Sequence, residues 1–170
     1  MRKIFIIGTV HKGLTKLEEL KKALEKISPD QLLIEIEDKD LRMEIFDKYS
    51  NEMVFAYKWA KSNKIDVRGF DFSFDVSKEG ANNEEAIKES KRAIKNISWK
   101  ELNREKNIKI LDKIYFKYVD LDKDRIREER MLNNINKLIL KNGIIVILTG
   151  IGHLRFFEEN LKEAIFPFRN

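Results

Sequence analysis

Apolar residues along this chain follow two rhythms. Dense short runs, KIFIIGT at 3–9, QLLIEIE at 31–37, DVRGFDF at 66–72 and IIVIL at 144–148, have the length and β-branched content of strands. Between them apolar positions recur every three or four residues, the spacing of one buried helical face. Leu17, Leu20, Leu24 and Ile27 form one such stripe, Leu41, Ile45, Tyr49, Met53, Ala56 and Ala60 a second, and Met131, Ile135, Leu138 and Ile139 a third. Thr15 and Glu18 stand three apart at the head of the first helix, as in a capping box, and Ser28-Pro29-Asp30 ends it. From about Asn83 to Lys141 the pattern is mostly helical, closed by Asn142-Gly143. Strand, helix, strand, helix, strand, helices, strand predicts an α/β fold. We expect a single domain over 1–170, with a mainly parallel, or mixed, sheet of about four strands, flanking helices and a helical insertion over 82–118.

In such sheets ligands sit beyond the carboxyl ends of the strands. His11 and His153 lie just past the first and last strands, Glu35 or Glu37 at the end of the second, and Asp71 at the end of the third. Each histidine follows a glycine by three positions, Gly8 and Gly150, and these are the only two histidines. With seven glycines in 170 residues, composition alone would produce both coincidences about once in 600. Glycine lets the backbone turn and approach a ligand closely, and Gly152 adds a second such residue before a helix beginning near Leu154. As a dinucleotide fingerprint Gly150-Ile-Gly152 is weak, because the third glycine is missing and no leading βαβ unit surrounds it. Each residue also has an ordinary reading: a strand-end histidine in a structural hydrogen bond, Glu35 paired with a lysine, Asp71 in a turn, Arg130 in a surface ion pair.

Together, two neutral imidazoles and a carboxylate form a divalent-metal set with positions open to water, of the kind zinc and iron use. A metal so held activates water and polarises carbonyls, which is hydrolytic chemistry. Alternatively, Glu35 is a general base beside a metal held otherwise. Arg127, Arg130 and Asn134 fall on one helical side, where a guanidinium can meet a substrate carboxylate or an oxyanion.

Composition narrows the alternatives. The absence of cysteine excludes disulfides and thiolate sites, leaving histidine, carboxylate, carbonyl or water ligands for any metal. No apolar run reaches membrane-spanning or secretory length, so a cytoplasmic chain without a membrane segment is expected. The net charge is +5, and the stretch from Glu84 to Val119 holds ten Lys/Arg against six acids. Those acids are interleaved, which favours a solvated helical face over a nucleic-acid surface.

GTVHKG near the start, PDQLLIEIE after the first helix, EERMLNNI before the last strand and LTGIGHL after it resemble, in order, the TraB/PrgY family and the related Tiki metalloproteases. These fall in a wider group with erythromycin esterases and ChaN haem-binding lipoproteins. The resemblance implies a metal-dependent hydrolase of peptide or ester bonds, with His11, His153 and Glu35 as metal ligands, Arg130 orienting or stabilising the substrate, and manganese or cobalt as the metal. GFD is similar to the segment that places the family's aspartate, here Asp71. With Asp71, the expected substrate contacts are Asn134, Gly8, Gly150 and Gly152. Two departures stand out: the membrane segments of TraB relatives are missing, and Met131 follows Arg130 where the family has Asp or Asn. The interval 82–118, with Trp99, Tyr115, Phe116 and Tyr118, matches no family motif and reads as a lid or partner surface, or as plain helical packing. A module that binds a peptide or haem-like ligand without turnover remains the rival to an enzyme. Beyond a small-molecule or peptide substrate, a second copy of the chain is left open as a partner.

Overall fold

The computed structural model describes residues 1–11, 13–72, 84–118 and 121–169. Four strands, β1 (Arg2–Thr9), β2 (Gln31–Glu37), β3 (Asp66–Asp71) and β4 (Gly143–Gly150), form one all-parallel sheet in the order β1-β4-β2-β3. The α/β single domain is therefore as expected. The chain continues through α1 (Leu17–Ile27), α2 (Asp38–Met43), α3 (Asn51–Ser62), α4 (Glu84–Ala93), α5 (Trp99–Leu102), α6 (Glu105–Tyr115), α7 (Leu121–Leu138) and α8 (Leu154–Asn160). Of the expected insertion, residues 82 and 83 lie outside the described residues.

Strand periodicity sorts the core into two layers. Ile7, Leu32, Ile34, Ile36, Val146 and Leu148 face α1 and α3, packing on Leu20, Leu24, Met53, Ala56 and Ala60. Ile4, Ile6, Leu33, Ile145 and Ile147 face the other way, onto Met131, Ile135, Leu154 and Phe157. Glu35 shares the parity of Leu33, which puts its carboxylate on the α7 side. No helix among the described residues is long and apolar enough to cross a membrane.

Two local expectations fail. The stripe from Leu41 to Ala60 is not one helix: Glu44 takes a left-handed conformation (φ 55°) that ends α2, and Ser50 reopens the chain as the extended N-cap of α3. Tyr49 and Lys48 in the intervening loop bind Asp40, at 2.7 and 2.8 Å, so polar contacts fix a break that apolar spacing alone bridges. Nor does Thr15 cap α1. Its hydroxyl exchanges hydrogen bonds with the Val10 backbone, accepting at 2.8 Å and donating at 2.9 Å, and so closes the loop after β1. The capping box lies instead at Ser98–Glu101, ahead of α5.

Candidate functional site

The strand order builds the site. β4 lies between β1 and β2, so the turn after it, a single 3-10 turn at Ile151–His153, emerges between His11 past β1 and Glu35 near the end of β2. Gly150 marks the centre. A Cβ built there would stand 3.4 Å from Glu35 Oε2, 3.8 Å from His11 Nε2 and 3.8 Å from His153 Cδ2. The two histidines and Glu35 thus surround one glycine on one rim of the sheet.

Glu35 is buried, 8% exposed, where the β2–β4 pairing ends at Ile34 and Leu148. Its Oε2 accepts from the Thr149 hydroxyl at 2.8 Å and the Gly150 N–H at 2.5 Å, replacing the next rung of the ladder. Its Oε1 accepts from Arg127 Nη2 at 2.9 Å and lies 3.6 Å from His153 Nε2. Burial alone would raise this carboxyl; the charges of His153, Arg127 and His11 hold it well below the usual glutamate range.

Each imidazole is backed by a carboxylate. His153, 5% exposed, donates from Nδ1 to Glu128 at 2.8 Å, and His11, about half exposed, donates from Nδ1 to the buried Glu52 at 2.6 Å. Burial works against the charged ring of His153, but Glu35 and Glu128 prevail and push its pKa up to about 10. His11 is raised in the same way, burial being outweighed by Glu52 and Glu35. Glu128 moves up because its burial outweighs the bond to His153.

The guanidinium at the centre belongs to Arg127. It binds both oxygens of Asp71, Nη2 at 3.0 and 2.9 Å and Nε at 3.1 Å, reaches Glu35, and sets Nη1 3.3 Å from His153 Nε2. Arg130 instead lies with its Cζ 4.6 Å from the Phe72 ring centroid, and Asn134 donates to the Phe70 carbonyl at 3.1 Å. The side of α7 that carries these three residues lies against the end of β3 and Phe72 just after it. Asp71 is raised by burial despite its arginine, with Glu35 adding to the rise.

The glycines divide. Gly8 has its N–H engaged by Asn103 Oδ1 at 2.8 Å and its carbonyl by Trp99 Nε1 and Asn103 Nδ2 at 3.0 and 2.9 Å, so it seats the helical insertion on the edge strand. Gly152 has nothing within 4 Å of its Cβ position. Trp99 and Leu102 are buried, so this part of the insertion packs rather than covering the rim as a flap.

Two residues of this cluster, Glu128 and Glu52, were not singled out by spacing and motif, and Arg127 was named only alongside Arg130. The signal was present. Arg127 and Glu128 stand four and three residues before Met131, extending the buried stripe of α7, whereas Arg130 is rotated off it. Glu52 stands four before Ala56 and eight before Ala60, on the buried side of α3.

As the side chains stand, the one group of three His, Asp or Glu among the described residues whose ligand atoms all lie within 4.8 Å is Asp124, Glu128 and His153. His11, Glu35 and His153 converge without closing to that distance. Comparison of the chain with family models, curated proteins and solved structures finds no match.

Proposed function

We propose that the chain is a hydrolase of peptide or ester bonds, with a divalent metal cofactor held by His11, His153 and Glu35 and with Arg127 as the substrate-stabilising cation. The supporting observation is the paired buttressing of the histidines: a carboxylate on each Nδ1 selects the tautomer whose Nε2 carries the lone pair and holds the ring in place. Both Nε2 atoms lie on the side of Gly150 and Glu35. Two imidazoles and a buried carboxylate fit manganese, cobalt or zinc in donor chemistry, and the resemblance to Tiki-like proteases favours the first two. A metal there would polarise a carbonyl and lower the pKa of its bound water.

The protein's own groups divide the remaining work. Glu35, with both oxygens occupied and its pKa depressed, is poorly matched to proton abstraction near neutrality and serves as an anchor. His11 is the more exposed of the two rings, so the site opens to solvent on its side, and Glu52 holds its orientation. Arg127, fixed by Asp71 and Glu35, presents a positive edge to developing negative charge in a partly dry site. A second reading follows from the same fixed cation: His11 and Glu52 act as an acid–base pair without metal, with Arg127 as the oxyanion partner.

The test is cleavage of peptide and ester libraries by the purified chain, before and after chelation and after addition of Mn²⁺, Co²⁺ or Zn²⁺. The expected result is metal-stimulated cleavage lost in His11→Ala and Glu35→Gln. Cleavage indifferent to chelation selects the acid–base reading. Saturable peptide or haem binding with no cleavage under any condition overturns both in favour of a binding module.

A further inference from the structure

We propose a divalent cation site formed by Asp124, Glu128 and the Nδ1 nitrogen of His153, on the opposite side of the His153 ring from Glu35. Asp124 and Glu128 are four apart on α7, so they project from the same face. The 3-10 turn after β4 swings His153 onto that face. The three ligand atoms lie within 4.8 Å of one another, against the roughly 3.4 to 4.2 Å expected between ligands about 2.1 Å from a shared ion. The Glu128–His153 pair, now hydrogen-bonded at 2.8 Å, would open into that range as the ion displaces the Nδ1 proton.

Glu128 is 9% exposed, and the His153 ring is its cationic partner at 2.8 Å; a bound ion would displace the Nδ1 proton and supply that charge in its place. A second, independent observation comes from α6. Asp112 is 6% exposed and its Oδ2 has no hydrogen-bond partner among the described residues; its charge is met by Arg155 and Arg169 and opposed by Glu128, which places it beside the proposed ligands. The hydroxyl of Tyr115, also on α6, hydrogen-bonds Asp124, the outer-shell contact that orients a ligating carboxylate. One imidazole and two carboxylates select a borderline ion such as Mn²⁺ over an all-oxygen ion such as Ca²⁺ or a thiophilic one. The helical insertion, through Asp112 and Tyr115, would thereby help to build this site.

The inference does not rest on the hydrolase reading: it uses neither His11 nor Glu35, and because it takes the shared His153 ring through Nδ1 rather than Nε2, a neutral ring serves one of the two ions at a time. A cation on Nδ1 leaves the ring proton on Nε2, which faces Glu35 at 3.6 Å. Its test is Mn²⁺ binding followed by electron paramagnetic resonance in a His11→Ala background, where the other histidine cannot contribute. We expect one equivalent bound, and a loss of affinity of at least about tenfold on adding Asp124→Asn. Circular dichroism reports whether that variant folds; where it does not, Glu128→Gln in the same background takes its place with the same expectation. No binding in His11→Ala, or equal affinity with and without Asp124, overturns the site. Failure of the cleavage test would leave this binding result unaffected.

Discussion

Arg127 and Arg130 are three residues apart on one helix, and Arg127 is the one whose partners are the buried carboxylates at the strand ends. Arg127 answers the charges of Asp71 and Glu35, so replacing it with methionine leaves two buried carboxylates short of a cation. That loss is worth about 3–5 kcal/mol. Arg130 is exposed and stacks on Phe72, and at an exposed site such contacts of an arginine are each worth about 1 kcal/mol or less, so Arg130→Ala is expected to cost less. Urea unfolding at neutral pH should rank the variants in that order, and an equal or reversed ranking would refute the placement. Sequence alone made the histidines and Glu35 legible, because glycine spacing and strand ends are local signals. It did not separate the arginines, because that requires knowing which side of α7 meets the sheet. The apolar positions carry this information only when the phase of Met131 and Ile135 is extended back into a charged segment. Glu52 escaped for the same reason.

At the level of elements, the all-parallel sheet was readable because its strands are short, apolar and separated by helical stripes. What spacing could not supply was the treatment of the sheet edge. β1 is an edge strand, an open row of hydrogen-bonding groups, and two tertiary contacts close it. Ile165 exchanges backbone bonds with Ile4 and Ile6, and the Asn103 amide gives Gly8 both an acceptor and a donor, as a neighbouring strand would. A methyl group at Gly8 would meet Leu154 Cδ1 at 2.6 Å and Asn103 Oδ1 at 2.9 Å. Gly8→Ala is therefore expected to cost about 1–3 kcal/mol through overpacking. Gly152→Ala, with open space around its Cβ, should stay within about 0.5 kcal/mol. Thermal unfolding of the two variants distinguishes them; similar melting points would mean that Gly8 is not the packing point through which the insertion holds β1.

Across the whole molecule, the cluster at the strand ends makes stability depend on pH in a definable window. In the metal-free chain His153 has a pKa of about 10, against an ordinary value of 6.5, so the folded state binds its proton more tightly than the unfolded chain does. That contribution is complete below pH 6.5 and is lost as pH rises toward 10. His11, Asp71 and Glu128, all raised, act in the same sense over their own ranges. Glu35 acts oppositely: its carboxyl is depressed from 4.5, so its contribution is present above that pH and is lost on acidification through its folded value. The His153–Glu35 pair thus stabilises most between about pH 4.5 and 6.5 and weakens on the alkaline side. Urea midpoints measured from pH 6 to 10 should fall in the wild type and fall less steeply in His153→Gln, which has no such proton to release. Mn²⁺ should reverse the trend, because ligation by either nitrogen of His153 competes with that proton, so the metal stabilises more as the pH rises. An alkaline slope unchanged in His153→Gln would show that this ring is not the group linking the fold to pH.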